Sequence, residues 1–273
     1  MPRTLITGGG GQLASDLALR VDGAVALSHA ELDIGDSDGL ARAFDEHAPE
    51  LVLNCAAFHN VDACEREPDQ AWAINVRAVR EMAQHCGRTG AKLVHLSTNY
   101  VFDGRRAEPY GVDDLPSPRS VYALTKLAGE YAALAYAPGA LVVRTAGLYG
   151  LAGSASKGGN FVERMIARAR SGDALRMVAD QRLQPTFTAD LAEAILAALD
   201  VEGVAHLVAG GACSWYEFTL AILDGAGLDV PVEPVETTGS IDRPLNGVLA
   251  GSAGMRSWEA QLADYLDRAG FAS

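Results

Sequence analysis

The stretch Tyr122-Ala123-Leu124-Thr125-Lys126 sets a phenol and an ammonium four residues apart. On a helix that spacing puts both side chains on one face, a turn apart, where they can act on one atom. A cation beside a phenol favours the tyrosinate, so the Tyr122 pKa is expected to fall from its usual value near ~10 and let the group give or take a proton near neutrality. The chain holds 8 Tyr and three Lys (Lys92, Lys126, Lys157) in 273 residues, so a pair of this kind arises by chance about 0.1 times. The other 19 of its 22 basic residues are Arg, and a lysine at this place points to a role that a permanently charged guanidinium cannot fill.

A hydroxyl at the end of the preceding strand would complete the set by hydrogen-bonding a substrate carbonyl as charge develops on it. The segment Leu96-Ser97-Thr98-Asn99-Tyr100 follows the apolar run that begins at Leu93. Thr98 is the candidate, and Ser97 takes the role if the strand ends one residue earlier. Near the amino end, Thr7-Gly8-Gly9-Gly10-Gly11-Gln12-Leu13-Ala14 lies between a short apolar run and a helix expected to start near Gln12. Two registers fit a dinucleotide loop: Gly9, Gly11 and Ala14, or Gly8, Gly11 and Ala14, the second being the short-chain dehydrogenase spacing. In either, loop N–H groups and the helix amino end would hold a pyrophosphate. The acid that would take a ribose 2′-hydroxyl should end the second strand, but Val25-Ala26-Leu27-Ser28-His29 offers none, nor an Arg for a 2′-phosphate. The cofactor is therefore NADP or NAD, with Asp33 and Ile34 as candidates for the adenine edge.

The elements that must position these groups follow a βαβ rhythm. Apolar runs at 5–6, 24–27, 51–53, 93–96 and 141–143 alternate with helix-length amphipathic segments such as 69–87. Strands apolar on both faces and separated by crossover helices predict an α/β, Rossmann-type doubly wound parallel sheet. A helix is expected from about residue 119 to 136. The rhythm weakens after Gly150, where 151–159 is rich in Gly, Ser and Ala. We therefore expect residues 1–150, with a returning segment at 186–210, to form a dinucleotide-binding domain and 151–273 to form mainly a smaller substrate-binding lobe.

The net charge of −13 is spread along the chain, which argues against nucleic-acid and anionic-membrane partners. Cys55, Cys64, Cys86 and Cys213 show neither metal-site pairing nor the density of a disulfide scaffold, so no metal and a reducing, cytoplasmic setting are expected. No apolar stretch reaches spanning length and none has the pattern of a signal peptide. Cys55 reads as a small apolar residue rather than a nucleophile, and Trp72, Trp215 and Trp258 read as core.

Taken together, the motifs resemble the extended short-chain dehydrogenases, and within them the dTDP-4-dehydrorhamnose reductases. The matching segments are Gly11-Gln12-Leu13, Asn54-Cys55-Ala56-Ala57, Val61-Asp62, Asn75, the run from Ser97 to Gly104, and the run from Tyr122 to Glu130. Arg144-Thr145, Tyr149-Gly150, Asn160-Phe161, Asp180-Gln181, Pro185-Thr186 and Arg243-Pro244 with Asn246 extend the match almost end to end. The resemblance implies hydride transfer from a reduced nicotinamide to the C4 ketone of a nucleotide-activated 6-deoxysugar, with Thr98, Tyr122 and Lys126 catalytic. It implies cofactor contacts at Gly8, Gly11, Gln12, Leu13, Asp33, Ile34, Ala56, Ala57, Asn75, Tyr122 and Lys126. Substrate contacts are implied at His59, Val61, Asn99, Tyr100, Gly147 and Asn160. Three of these depart from the family pattern: His59 stands for Thr, Asn99 for Asp and Gly147 for Trp. Losing the indole is expected to leave room for a bulkier or differently placed ring. A 4-ketoreductase or epimerase of another nucleotide sugar, and a noncatalytic NAD(P)-binding subunit, stay open as alternatives; a homodimer is compatible with the sequence.

Overall fold

The structure, a computed structural model, describes residues 2–152, 159–239, 241–251 and 254–273. Most of the 151–159 stretch, with Lys157, lies outside the described residues. One sheet carries six parallel strands: β1 (Thr4–Gly9), β2 (Val25–Ser28), β3 (Leu51–Asn54), β4 (Lys92–Thr98), β5 (Leu141–Thr145) and β6 (Gly203–His206). Their spatial order is β6-β5-β4-β3-β1-β2. The chain steps one way from β1 to β2 and the other way from β1 to β3, and in a doubly wound sheet the crevice at that reversal is where a ligand sits.

Strands in the middle of such a sheet are covered on both faces, so successive side chains both need apolar surroundings. Val52, Leu93 and Val142 pack on one side against Leu40 and Phe44 of α2 (Ser37–His47) and Met82 of α5 (Val79–Thr89). Their neighbours Leu53, Val94 and Val143 pack on the other against α1 (Gln12–Ala18) and α8 (Thr188–Ala197). The segment 69–87 is helical throughout, with a π turn inside it. It runs as α4 (Pro68–Trp72), a π-helical turn (Ala73–Ala78) and α5, and the wider turn carries Asn75 inward.

A second core gathers Tyr149, Phe187, Phe218, Trp258 and Tyr265 around α7 (Phe161–Arg170), α9 (Trp215–Gly225) and α10 (Trp258–Arg268). Trp258 and Trp215 belong to it, but Trp72 is 42% exposed on α4 and is not a core residue. Among the described residues no helix is long and apolar enough to cross a membrane.

Candidate active site

The helix that carries the phenol and the amine, α6, spans Val121–Tyr136. It starts there because Ser120 Oγ accepts from the Ala123 N–H at 3.2 Å, while the Val121 N–H donates to Glu65 Oε1 at 2.7 Å on α3 (Val61–Arg66). Tyr122 lies in the first turn and Lys126 one turn on, at the carboxyl ends of β3 and β4. Lys126 is 3% exposed, and its Nζ donates to the Leu96 carbonyl at 2.6 Å. Burial pulls its ammonium down to about 8, against the opposing influence of Glu130 and Cys55.

The Tyr122 phenol is pushed up, not down as expected from its spacing to Lys126. Desolvation outweighs the hydrogen bond with Thr98 that favours the tyrosinate. Strand β4 ends on Thr98, and alternation turns Ser97 to the other face, where its hydroxyl donates to Glu130 in a very short contact. Glu130 is 1% exposed and is held by Arg144 Nη2 at 2.7 Å and Nε at 3.0 Å. Thr98 Oγ1 accepts from the Tyr100 N–H at 3.2 Å and donates to Asn99 Oδ1 at 3.3 Å.

The substrate side differs from expectation at three places. Asn99 is 4% exposed and its Nδ2 donates to the Gly247 carbonyl at 2.8 Å, so it orients Thr98 rather than facing the cleft. An aspartate there would set a carboxylate against that carbonyl, which accounts for the amide. Asn160 is spent as the cap of α7: Oδ1 accepts from Glu163 N–H at 3.0 Å, and Nδ2 donates to the Gly150 carbonyl at 2.9 Å and Tyr265 Oη at 2.7 Å. Gly147 has φ +58, and a Cβ there would lie 2.9 Å from Leu183 Cδ1 and 3.0 Å from Pro185 Cα. The space beside it is thus filled by 183–185 rather than left open, and a side chain would be strained in that left-handed backbone. His59 is exposed, with Nδ1 3.4 Å from the Ala57 carbonyl, and Val61 opens α3 behind the Asn60 cap. Tyr100 meets Tyr122 edge to face, with centroids 5.9 Å apart. Its hydroxyl is hydrogen-bonded with Arg243, whose Nη2 donates to Asp62 Oδ2 at 3.0 Å. The segment around Arg243 is in this way strapped across the rim.

On the nucleotide side, Gly8 has φ +73, and a Cβ there would come within 3.0 Å of Ala56 N. The β1 loop therefore closes on the Cys55 and Ala56 backbone only with glycine. The Gly11 N–H donates to the Gly8 carbonyl at 3.0 Å, Gly11 caps α1 without a side-chain hydrogen bond, and a Cβ on Gly10 would meet open space. Gln12 Oε1 is buried with no partner among the described residues, and Leu13 and Ala14 fill the core below. An open glycine cradle of backbone N–H groups at the amino end of a helix fits the pyrophosphate of a dinucleotide. Asn75, by contrast, has its carboxamide taken up: Oδ1 accepts from Phe58 N–H at 2.9 Å, and Nδ2 donates to the Phe58 carbonyl at 3.0 Å and Thr125 Oγ1 at 3.1 Å. It ties the β3 loop to α6 rather than reaching a ligand. Ile34 is 3% exposed in the core, and Asp33 Oδ1 accepts from the Gly35 N–H at 2.9 Å, so the Ile34 side chain does not form an adenine edge.

One acid escapes the sequence reading. Glu31 folds back so that Oε2 accepts from both the N–H and the hydroxyl of Ser28, at 2.9 and 2.7 Å. These bonds hold its carboxyl below the usual range. A carboxylate thus stands at the end of β2 although the strand itself contains none. The Ser-x-x-Glu spacing was the available signal. The four cysteines are unpaired, and burial pushes Cys55 up to about 12, so it is no thiolate at neutral pH.

The reversal of the sheet at β1, the glycine loop and the Thr98, Tyr122 and Lys126 set at neighbouring strand ends define a Rossmann-type protein of the extended short-chain dehydrogenase class. Comparison with known proteins narrows this. The family profile described as RmlD substrate binding domain matches residues 2–270, and the chain belongs to that family. It is 37% identical over 286 residues to the dTDP-4-dehydrorhamnose reductase of Streptomyces griseus, covering 96% of this chain and 92% of that protein. It is 38% identical over 284 residues, with 96% and 94% covered, to the probable dTDP-4,6-dihydroxy-2-methyloxan-3-one 4-ketoreductase of Streptomyces antibioticus. The crystal structure of dTDP-4-dehydrorhamnose reductase from Bacillus anthracis in complex with NADP superposes with a TM-score of 0.92 at 32% identity, covering 98% of this chain and 99% of that one.

Proposed function

We propose that the protein reduces the C4 ketone of a nucleotide-activated 6-deoxysugar with NADPH or NADH, dTDP-4-dehydrorhamnose being the substrate that its relatives favour. The observation that carries the reading is the Tyr122 hydroxyl hydrogen-bonded with Thr98 beside a buried Lys126, at the strand ends next to the glycine loop. Gly8, Gly11, Gln12, Leu13, Ala56, Ala57, Asp33 and Lys126 would hold the dinucleotide, and the bound reduced nicotinamide supplies a hydride to the carbonyl carbon. Tyr122 gives its proton to the carbonyl oxygen, and its raised affinity for that proton keeps it protonated until the oxygen becomes basic. Thr98 holds the same oxygen once its single hydroxyl hydrogen, which points at Asn99 Oδ1 in the free protein, turns to it. The Lys126 ammonium steadies the tyrosinate that remains.

Glu31 at the end of β2 would accept from a ribose 2′-hydroxyl and repel a 2′-phosphate, so NADH is taken at least as readily as NADPH. Residues 1–150 with the returning 186–210 segment serve as the dinucleotide-binding domain and 151–273 mainly as the substrate lobe. Four free thiols suit a cytoplasmic setting. The test is loss of reduced-nicotinamide absorbance with dTDP-4-dehydrorhamnose and a panel of other dTDP-4-keto-6-deoxysugars. No turnover with any of them overturns the reading, and sugar conversion without net nicotinamide oxidation replaces it with an epimerase.

A further inference from the structure

Behind Lys126 runs a buried polar chain that the proton transfer does not use. His95, in the middle of β4, has no exposure. Its Nε2 lies 3.4 Å from Lys126 Nζ and its Nδ1 lies 2.9 Å from Asn54 Nδ2. Asn54, equally buried, accepts through Oδ1 from Thr7 Oγ1 at 2.7 Å. The row is a product of register: Thr7 of β1 pairs with Asn54 of β3, and Asn54 pairs with His95 of β4. Helix α6 lays Lys126 on its end.

The donor and acceptor inventory constrains this row. With Asn54 Nδ2 turned toward the ring, Nδ1 must offer a lone pair, and a neutral imidazole then keeps its proton on Nε2, aimed at Nζ. That hydrogen finds a lone pair on a neutral amine and none on an ammonium. When Lys126 is charged, the polarity of the row has to reverse. Nε2 accepts from Nζ, Nδ1–H donates to the Asn54 oxygen, and the turned carboxamide donates to Thr7, whose hydroxyl serves as donor or acceptor. Both settings leave the row satisfied, and in both Nζ donates to Leu96.

We propose that His95, backed by Asn54 and Thr7, is a positioning residue for Lys126 that gives the lysine a satisfied partner in both charge states by exchanging one imidazole tautomer for the other. Burial and the lysine charge hold His95 well below its usual pKa, so the ring changes tautomer without becoming a cation. The other titratable groups around Nζ are Glu130 on α6 and Cys55 after β3, with Glu130 paired to Arg144 of β5. Glu130 favours the ammonium, Cys55 being a neutral thiol at this pH, and burial opposes it, which leaves Lys126 near the middle of its titration at mildly alkaline pH, where a two-way partner matters. The catalytic consequence rests on the role proposed for Lys126 above; the tautomer exchange does not.

The test is NMR of the full chain without nucleotide, labelled with 15N in histidine and 13Cε in lysine and titrated from about pH 6 to about pH 10. The three lysines allow Lys126 to be assigned by comparison with Lys126→Arg. The Lys126 midpoint is expected near the value of about 8, with the His95 proton on Nδ1 below it and on Nε2 above it. His95→Leu, which removes both settings, should lower the midpoint by about one unit. His95→Gln, whose carboxamide can turn either way, should keep it within about half a unit. A single His95 tautomer across the whole range overturns the proposal, as does a midpoint unmoved in His95→Leu. If His95→Leu does not fold, the wild-type tautomer measurement and His95→Gln decide alone. No substrate is involved, so absent turnover would sink the reductase reading and leave this intact, while a fixed tautomer would do the reverse.

Discussion

The floor of the cleft and its rim are held by different forces. On the floor, Thr7, Asn54 and His95 are fixed by the register of three parallel strands, and the neighbouring Arg144 and Glu130 pair is nearly devoid of solvent. On the rim, Asp62, Tyr100 and Arg243 come from segments far apart in sequence and are joined by a half-exposed ion pair, while Gly147 relies on a left-handed backbone to let 183–185 pass. A backbone ladder cannot shift one member without shifting all, whereas a surface ion pair can be exchanged at little cost. The proposed proton-handling residues thus sit on the rigid part of this molecule, and the proposed sugar contacts on the part open to change.

The sharpest way to break that contrast is Tyr122→Phe. It should lower kcat by about 10^3 with an unchanged melting temperature; activity within tenfold of wild type would mean the floor does not do the chemistry. Arg144→Leu should cost about 3–5 kcal/mol in urea unfolding, because it strands the Glu130 carboxylate, and adding Glu130→Leu should recover most of that. The matching rim change, Arg243→Ala, should cost less than about 1 kcal/mol. Gly147→Ala should cost about 1–3 kcal/mol and raise KM for the sugar with little change in kcat, since the strain falls on the 183–185 wall.

A pH profile sharpens the floor further. Lys126 is charged below its pKa of about 8 and neutral above it, so kcat/KM should fall about tenfold per unit on the alkaline side. A profile flat to pH 10 would show that the ammonium is not required. The smallest expected effect is at the edge of the nucleotide site, where Glu31→Gln should shift the ratio of NADPH to NADH dissociation constants by about fivefold toward NADPH. Fluorescence titration of the reduced nicotinamides would read it, and an unchanged ratio would remove Glu31 from cofactor choice.

Much of the frame was legible because it rests on local rules. Apolar runs gave the five strands of the first half, and the helix-then-strand pattern at 186–210 matched α8 and β6. The glycine cluster lay where β1 ends. The segment 69–87 is helical as its pattern predicts, while the π turn inside it leaves no mark in apolar spacing. The asparagines were the least readable. Asn75, Asn99 and Asn160 share a side chain that can donate and accept, and their partners lie 17, 148 and 105 residues away.

Backbone periodicity over a few residues was enough to put Tyr122 and Lys126 on one helix face, to place glycines after β1 and to narrow the strand-end hydroxyl to Ser97 or Thr98, with Thr98 chosen only by where β4 ends. Tertiary structure alone decided the direction in which the phenol and the amine titrate, and the row from Thr7 to His95. Those depend on desolvation and on strand register, which are set when distant segments come together and exclude water.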